Sequence, residues 1–128
     1  MEGHPLDENI VNELRILQKS APKNFLVELF GAFLKSMDSK LGLIRDAMTR
    51  GDAKMISNLA HGLKSSSAGI GALRLAGFLN DIEVRSRNFD LESLENQMSL
   101  LESEFSKVKA ALQSIIDSSD STPGAGKE

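Results

Sequence analysis

The 128-residue sequence has no cysteine, no tryptophan and no tyrosine, and only three prolines. The absence of cysteine excludes disulfide bonds and thiolate zinc sites. With six phenylalanines as its only large aromatic residues, the chain is expected to build its core mainly from Leu, Ile, Met, Ala and Phe. No apolar run approaches the roughly 20 residues that span a bilayer, and the first residues do not resemble a signal peptide. We therefore expect a single cytoplasmic domain without membrane insertion.

Charge is modest in total but uneven along the chain. The net charge of −3 argues against general nucleic-acid binding. Residues 50–87 carry six Lys or Arg and three acids, whereas residues 88–128 carry three Lys and eight acids. The basic middle segment indicates either a docking face for an acidic partner or a chance distribution of surface charge.

Apolar residues recur every three or four positions through most of the chain, which predicts helices. Asp7, Asp52 and Asp90 are expected to cap the first, third and last helices. Pro22 is expected in the first turn of the second helix, which Gly51 ends. No alternating pattern predicts a strand. Short connections between amphipathic helices favour an all-α fold, an antiparallel up-down four-helix bundle with a short extra N-terminal helix.

Composition predicts where this bundle begins and ends. We expect residues 1–5 to be disordered, residues 6–117 to form the bundle, and residues 118–128 to be a disordered tail rich in Ser and Gly. A single bundle buries its apolar stripes internally, so we expect a monomer. Apolar positions predicted to lie on the inner faces of the first, third and fourth helices include Ile10, Leu14, Leu17, Met55, Leu59, Leu63, Leu79, Ile82 and Val84.

One segment, residues 60–72, carries most of the functional information. It places His61 on the third helix, on the side opposite the apolar stripe, with Lys64 one turn later. Gly62 costs a helix interior about 1 kcal/mol relative to alanine, which calls for a reason such as clearance for a partner. Small or polar residues surround the histidine on its exposed side: Asn58, Gly62, Ser65 and Ala68. An ordinary surface histidine is the alternative interpretation.

The chemistry of phosphoryl transfer requires few groups. A neutral imidazole has one nitrogen lone pair that can attack a phosphoryl group, if an acceptor holds the proton on the other nitrogen. The transfer depends mostly on positioning and charge neutralisation, and Lys64 would supply positive charge beside His61. Glu83 is the candidate acceptor, because His61 and Glu83 lie 10 residues before and 12 residues after Gly71 in the predicted turn. A solvated carboxylate is the alternative role of Glu83.

The same segment resembles a known family. The run AHGLKSSSAGIGA at residues 60–72, followed by Leu75-Ala76 and LNDIE at residues 79–83, is similar to the motif of histidine-containing phosphotransfer (HPt) domains. The resemblance is dense over about residues 52–87. Histidine, lysine, small residues, turn and following leucines all occur in order, which makes the motif fairly specific.

The resemblance implies a four-helix bundle with an additional N-terminal helix. It implies His61 as the residue that accepts the phosphoryl group through Nε2, Lys64 as the cation beside that group, and Glu83 as the Glu or Gln that hydrogen-bonds the other ring nitrogen. Ser65 departs from the glycine that is commonest after the lysine, which weakens the expectation of tight docking. The implied partners are receiver domains of response regulators, whose phosphorylatable aspartate lies in an acidic, Mg²⁺-binding pocket.

The resemblance implies no metal or cofactor bound by the chain itself, with Mg²⁺ held by the receiver. Ile10 and Leu14 are candidates for an apolar docking patch beside the site. Packing of the first helix onto the bundle is their alternative role.

Three classes of function remain to be separated. The predicted function is that of a phosphorelay carrier in two-component signalling, in which His61 takes a phosphoryl group from one receiver aspartate and passes it to another. The alternative is a helical protein–protein adaptor without phosphotransfer. A freestanding enzyme is disfavoured because the sequence lacks a Walker phosphate loop, His-Glu-x-x-His or Glu-x-x-His metal motifs, and triad partners for the serines beside His61. We expect a carrier module without an ATP site, either independent or belonging to a hybrid sensor histidine kinase.

Overall fold

A computed structural model describes residues 4–120, and within that range the chain forms five α-helices and no strand. The helices are α1 (Glu8–Ser20), α2 (Phe25–Arg50), α3 (Ala53–Gly69), α4 (Leu73–Arg87) and α5 (Leu94–Asp120). Helices α2 to α5 form an antiparallel bundle in which each packs on the next and α5 packs on α2, while α1 packs against α2. The predicted all-α fold is confirmed.

The core lies where the apolar stripes of α2 to α5 meet. On α3, Ile56 and Leu63 are almost fully buried, so the opposite side of that helix, which carries His61, faces outward. Burying each large aliphatic side chain contributes about 1.5–3 kcal/mol relative to exposure. The largest fully buried side chains are Phe30, Met37, Ile44, Ile56, Leu63, Leu75, Leu79, Ile82, Leu94, Met98, Leu101 and Leu112.

Local capping signals fix the ends of three helices as predicted. The Asp7 carboxylate accepts a hydrogen bond from the Ile10 amide at 3.0 Å and begins α1, and the Asp52 carboxylate accepts one from the Met55 amide at 3.1 Å and begins α3. Gly51 ends α2 with a φ of 67°, a left-handed conformation that glycine adopts without steric cost.

The start of α2 differs from the prediction. Pro22 precedes the helix instead of opening it, because the side chain of Gln18 organises a separate turn between α1 and α2. The Gln18 amide donates to the carbonyls of Pro22 and Lys23 at 2.9 and 3.0 Å, and its oxygen accepts from the Leu26 amide at 2.9 Å. The first turn of α2 therefore obtains a capping acceptor from α1, and the helix begins at Phe25.

The start of α5 also differs. Asp90 does not cap it: its carboxylate pairs with Arg85 at 3.5 Å and accepts from the Ser93 hydroxyl at 3.1 Å. An additional turn follows, in which the Leu94 amide donates to the Leu91 carbonyl, and α5 begins at Leu94.

Both predicted terminal segments are partly described. Helix α5 continues to Asp120, so residues 118–120 are helical where we expected the tail to begin. At the other end, the Leu6 amide donates to His4 Nδ1 at 3.4 Å. The remaining residues of the two predicted disordered segments, 1–3 and 121–128, lie outside the described range.

Three residues predicted to be inward-facing are exposed. Leu17, Met55 and Val84 keep 53%, 38% and 43% of their surface accessible. On α1 the buried residue is instead Val11, so the packed face of this helix is rotated relative to the predicted stripe. Val84 follows Asn80 by four residues, which aligns both with the outer face of α4.

Helix α1 is attached to the bundle next to the turn between α3 and α4. The Asp7 amide donates to the Gly71 carbonyl at 2.7 Å, and Gly71 has a φ of 92°. A Cβ at this glycine would lie 3.3 Å from Asp7 O and from Ile10 Cβ. Glycine therefore permits both the backbone conformation and the close approach of α1. No helix within residues 4–120 is long and apolar enough to cross a membrane.

Candidate functional site

His61 projects from the middle of α3 into solvent, with 63% of its side chain accessible. Its Nδ1 atom lies 3.0 Å from Oε2 of Glu83 on α4. The antiparallel packing of α3 on α4 across the Gly71 turn thus brings together the two residues that the sequence spacing predicted to face each other. An exposed imidazole is thereby held by a contact on one of its two ring nitrogens.

Glu83 is the buried centre of the site, with 2% of its surface accessible. Its Oε1 atom accepts a hydrogen bond from Lys64 Nζ at 2.7 Å, and its Oε2 atom contacts His61 and accepts from Arg87. Burial alone raises the pKa of this carboxyl. Hydrogen bonds from Lys64, His61 and Arg87, together with the charge of Lys64, outweigh burial and hold the pKa below its usual value of 4.5. Glu83 is therefore ionised at neutral pH.

The ionised carboxylate determines the tautomer of His61. A carboxylate without a proton can only accept, so a hydrogen bond between Nδ1 and Glu83 requires the imidazole proton to be on Nδ1. In a neutral ring this leaves the lone pair on Nε2. The site therefore presents a nucleophilic nitrogen on the solvent side and anchors the ring through the protein side.

Lys64 lies in the groove between α3 and α4, with 30% of its side chain accessible. Besides Glu83, its ammonium group donates to Asn80 Oδ1 at 3.1 Å. The cation predicted to lie beside a phosphoryl group is thus bound to the carboxylate and to an amide of the neighbouring helix. Its partial exposure leaves room for the ammonium to turn outward.

Sequence reasoning missed two residues of this cluster. Arg87 reaches Glu83 from one turn further along α4, and Asn80 reaches Lys64 from one turn before Glu83. Both stand at helical neighbour spacings from Glu83, at i+4 and i−3. Those spacings would have identified them once Glu83 was taken as the centre of the site.

The residues predicted for docking lie on two helices, α3 and α1. Asn58, Gly62 and Ser65 of α3 are exposed, whereas Ala68 of α3 and Ile10 and Leu14 of α1 are partly buried. Ala60, another small residue of this segment, is fully buried in the core. A Cβ added to Gly62 would meet nothing within 4 Å, so the fold itself does not require glycine there.

A mostly apolar cavity of about 500 Å³ opens between α1, α2 and the C-terminal part of α3. Ser66 and Gly69, which line it, follow His61 by five and eight residues on α3. The residues that line it are Leu14, Phe25, Leu29, Ala32, Phe33, Ser36, Ser66, Gly69 and Ile70.

Within residues 4–120 no group of three or more His, Asp or Glu side chains is arranged to hold a metal ion. The described site presents an oriented nucleophilic nitrogen beside two cationic side chains. This combination defines a histidine-bearing helical bundle suited to carrying an anionic group.

Comparison with known proteins assigns the family. The family model described as the Hpt domain matches residues 28–118, so this chain belongs to the histidine-containing phosphotransfer family. Among solved structures, it is similar to histidine-containing phosphotransfer protein B (HptB) from Pseudomonas aeruginosa PAO1. That match has 25% sequence identity and a TM-score of 0.80, and it covers 88% of this chain and 95% of the other. A search of curated proteins gave no significant match.

The family establishes the general role of the protein. HPt domains are phosphocarrier modules of two-component phosphorelays, without the ATP site of a kinase, and they interact with receiver domains of response regulators. The four-helix bundle with an additional N-terminal helix agrees with that assignment.

Proposed function

We propose that this protein accepts a phosphoryl group on Nε2 of His61 from the aspartate of one receiver domain and passes it to the aspartate of another. The observation that carries the proposal is the 3.0 Å contact between His61 Nδ1 and the buried Glu83 carboxylate. It leaves Nε2 as the accessible nucleophile and holds the ring in one orientation.

In the forward step, the Nε2 lone pair attacks the phosphorus atom of the receiver's aspartyl phosphate. A bond from nitrogen to phosphorus forms, the bond from phosphorus to the acyl oxygen breaks, and the aspartate leaves as a carboxylate. The Nδ1 proton stays on the ring and donates to Glu83, which stabilises the positive charge that develops there. In the second step an aspartate of another receiver attacks the phosphohistidine, and the Nε2 lone pair is restored.

Lys64 is proposed to neutralise the incoming negative charge, and Arg87 is proposed to keep Glu83 paired. Lys64 is one turn from His61 and is bound to Glu83 in the free protein, so its ammonium can turn from Glu83 Oε1 toward a phosphoryl group on Nε2. Arg87 is 62% accessible and remains on Glu83 Oε2. Lys64→Ala is therefore expected to slow transfer to His61 while leaving the bundle folded.

The exposed face of α3 and its neighbours is proposed as the receiver-docking surface. Asn58, Gly62, Ser65 and Ala68 would allow close approach around His61, and Ile10 and Leu14 would contribute apolar contact beside the cavity between α1 and α2. Mg²⁺ would be held by the receiver's acidic pocket, where it neutralises the transferring group. We further propose that the protein is a cytoplasmic monomer, either independent or part of a hybrid sensor histidine kinase.

Phosphoryl uptake tests this function. Purified receiver domains would be labelled with radioactive acetyl phosphate in Mg²⁺ and mixed with the wild type, with His61→Gln and with His4→Gln as a matched control at the other histidine. We expect acid-labile, base-stable label on the wild type and on His4→Gln, and no label on His61→Gln. Equal label on His61→Gln would show that the acceptor is a different residue.

The adaptor function is an outcome of the same experiment. If no receiver labels the wild type while one or more bind it equally well with and without His61, the protein acts as an adaptor and the proposal is wrong. Transfer onward is tested by adding a second, unlabelled receiver to the purified phosphoprotein and following the label by gel electrophoresis.

A further inference from the structure

Phe89, in the connection between α4 and α5, is the most exposed large apolar residue of the described chain, with 78% of its surface accessible. It is also the only residue other than glycine with a positive φ, 60°, within residues 4–120. Neither property contributes to the stability of the fold, because the ring buries little surface and the backbone conformation is unfavourable for a residue with a Cβ.

The backbone around Phe89 shows which residue this position would normally hold. The Asp90 amide donates to the Arg85 carbonyl at 2.8 Å, and the Phe89 amide donates to the Ser86 carbonyl at 3.0 Å. This is the pattern that ends helices with a left-handed residue, at a position where glycine is preferred. A large aromatic residue therefore occupies a glycine position, a local conflict of the kind that natural proteins retain at functional sites.

The surroundings of Phe89 are basic and lie toward His61. Phe89 borders a cavity of about 320 Å³ together with Ala53, Lys54, Ser57, Ser86 and Arg87, and we call these six residues the Phe89 patch. Lys54 forms no ion pair with any residue of the described range, and Arg87 binds Glu83 beside His61. The nearby Asp90 is paired with Arg85. The patch thus combines an exposed ring with accessible positive charge.

The Phe89 patch is close enough to His61 for one partner to cover both. Lys54 precedes His61 by seven residues on the same face of α3, which corresponds to about 10 Å along the helix. A standard interface buries about 800 Å² on each partner, equivalent to a disc of roughly 16 Å radius. A receiver domain centred on His61 would therefore extend over the Phe89 patch on one side as well as over the apolar cavity near Gly69 on the other.

We propose that Phe89 is an aromatic anchor of the receiver-docking surface, and that an apolar depression beside the acidic pocket of the receiver covers it while Lys54 and Arg87 face the acids. This inference rests on the proposed phosphotransfer function and adds to it a second contact region, remote from α1. The occupant is a receiver domain because its acidic pocket must approach His61, and the two cations of the patch lie beside that path.

The test uses the receiver that labels the wild-type protein fastest, again charged with radioactive acetyl phosphate. Initial rates of transfer would be measured against receiver concentration for the wild type, Phe89→Gly and Phe89→Ala. Leu100→Ala is the matched control, because Leu100 is also exposed but lies on α5, which packs on α2 and α4. Melting curves would accompany each variant.

Loss of an aromatic anchor is expected to raise the half-saturating receiver concentration about tenfold in both Phe89 variants. The maximal transfer rate should stay near that of the wild type, because neither variant alters His61 or Glu83. Phe89→Gly should melt no lower than the wild type, since glycine suits the left-handed position. Leu100→Ala should leave the half-saturating concentration unchanged.

Three results would overturn the inference. Unchanged half-saturation in both Phe89 variants would remove Phe89 from the interface while leaving phosphotransfer established. A wild-type dimer, seen by sedimentation and abolished by Phe89→Gly, would mean that a second copy covers the patch. Failure of every receiver to label the wild type would refute the proposed function and, with it, this inference.

Discussion

The buried carboxylate of Glu83 allows the sharpest test of how the site is organised. In Glu83→Ala, His61 loses the acceptor for Nδ1, and Lys64 and Arg87 lose their shared partner. The side chains of His61, Lys64 and Arg87 are 63%, 30% and 62% accessible, so each can hydrate after the change. The lost hydrogen bonds are thus partly replaced by water, and removing a buried charge relieves its desolvation.

These opposing contributions set the expected magnitudes. We expect a loss of about 1–2 kcal/mol in the free energy of unfolding, equivalent to a fall of roughly 5–10 °C in melting temperature. Phosphoryl transfer should suffer more than stability. Without Glu83 the ring rotates and exchanges tautomers. Loss of the partner that orients a metal-bound histidine typically costs 10–100-fold in activity, and we expect a reduction of about that size in the transfer rate.

Glu83→Gln separates orientation from charge. A glutamine oxygen at the position of Oε2 still accepts from His61 Nδ1, so transfer should remain within about threefold of the wild type. Its amide group cannot accept from Lys64, which would turn to Asn80 and water. A transfer rate for Glu83→Ala equal to that of the wild type would refute the argument that the carboxylate fixes the tautomer.

The lowered pKa of Glu83 also predicts how stability depends on pH. A carboxyl with a lower pKa in the folded state contributes stability that is fully present above its unfolded pKa and is lost as pH falls through the folded value. The difference in unfolding free energy between the wild type and Glu83→Gln, measured by urea titration, should therefore depend on pH in the acidic range. Below the usual value of 4.5 it should shrink. A difference that grows as the pH falls below that value would contradict the assignment.

Three further predictions concern glycine positions and the far side of the bundle. Gly62→Ala and Gly42→Ala should each raise the free energy of unfolding by up to about 1 kcal/mol, since a Cβ meets nothing within 4 Å at either site. Only Gly62→Ala should slow phosphoryl transfer. If both variants slow it, Gly62 does not act by giving clearance to a partner. Gly71→Ala should lower the free energy of unfolding, measured by urea titration, by about 1–3 kcal/mol, because Gly71 has a positive φ and contacts α1. An unchanged urea midpoint would contradict the close contact of Gly71 with α1. Arg45→Ala breaks ion pairs with Glu95 and Glu102 at 3.0 and 2.7 Å. It should lower the free energy of unfolding by less than about 1 kcal/mol, and by less still in 1 M salt. A large loss of stability that does not depend on salt would be inconsistent with surface ion pairs.

The parts of the fold that the sequence predicted are those that depend on neighbouring residues. Asp7 and Asp52 act as caps, and Gly51 ends α2, because each interaction spans only a few residues. Pro22 and Asp90 do not behave as predicted because side chains of the preceding helix intervene. Gln18 reaches the turn before α2, and Arg85 engages Asp90.

The same distinction explains what could be predicted of the site. Two helices joined by a tight turn must bring residues at similar distances from that turn to similar heights, so His61 and Glu83 could be paired from their spacing alone. Whether a residue near the edge of a stripe is buried depends on the rotation of each helix in the bundle, which periodicity does not fix. Glu83 is therefore buried while Val84, the next residue, is exposed. The i+4 spacing of Arg87 from Glu83 would have identified this ion pair once Glu83 was taken as the centre of the site.

Because Glu83 is buried, its ion pair with Arg87 has a role beyond the stability of the fold. An exposed histidine can be oriented only by a group whose own position is fixed, and burial in the α3–α4 interface fixes Glu83. A buried carboxylate that loses its cation is strongly destabilised. If Lys64 turns toward a phosphoryl group on His61, Glu83 keeps a charged partner because Arg87 is bound to its other oxygen. With two cations on Glu83, Lys64 can follow the phosphoryl group while Arg87 keeps the carboxylate, and with it the His61 ring, in place. A single Lys–Glu pair could not do both.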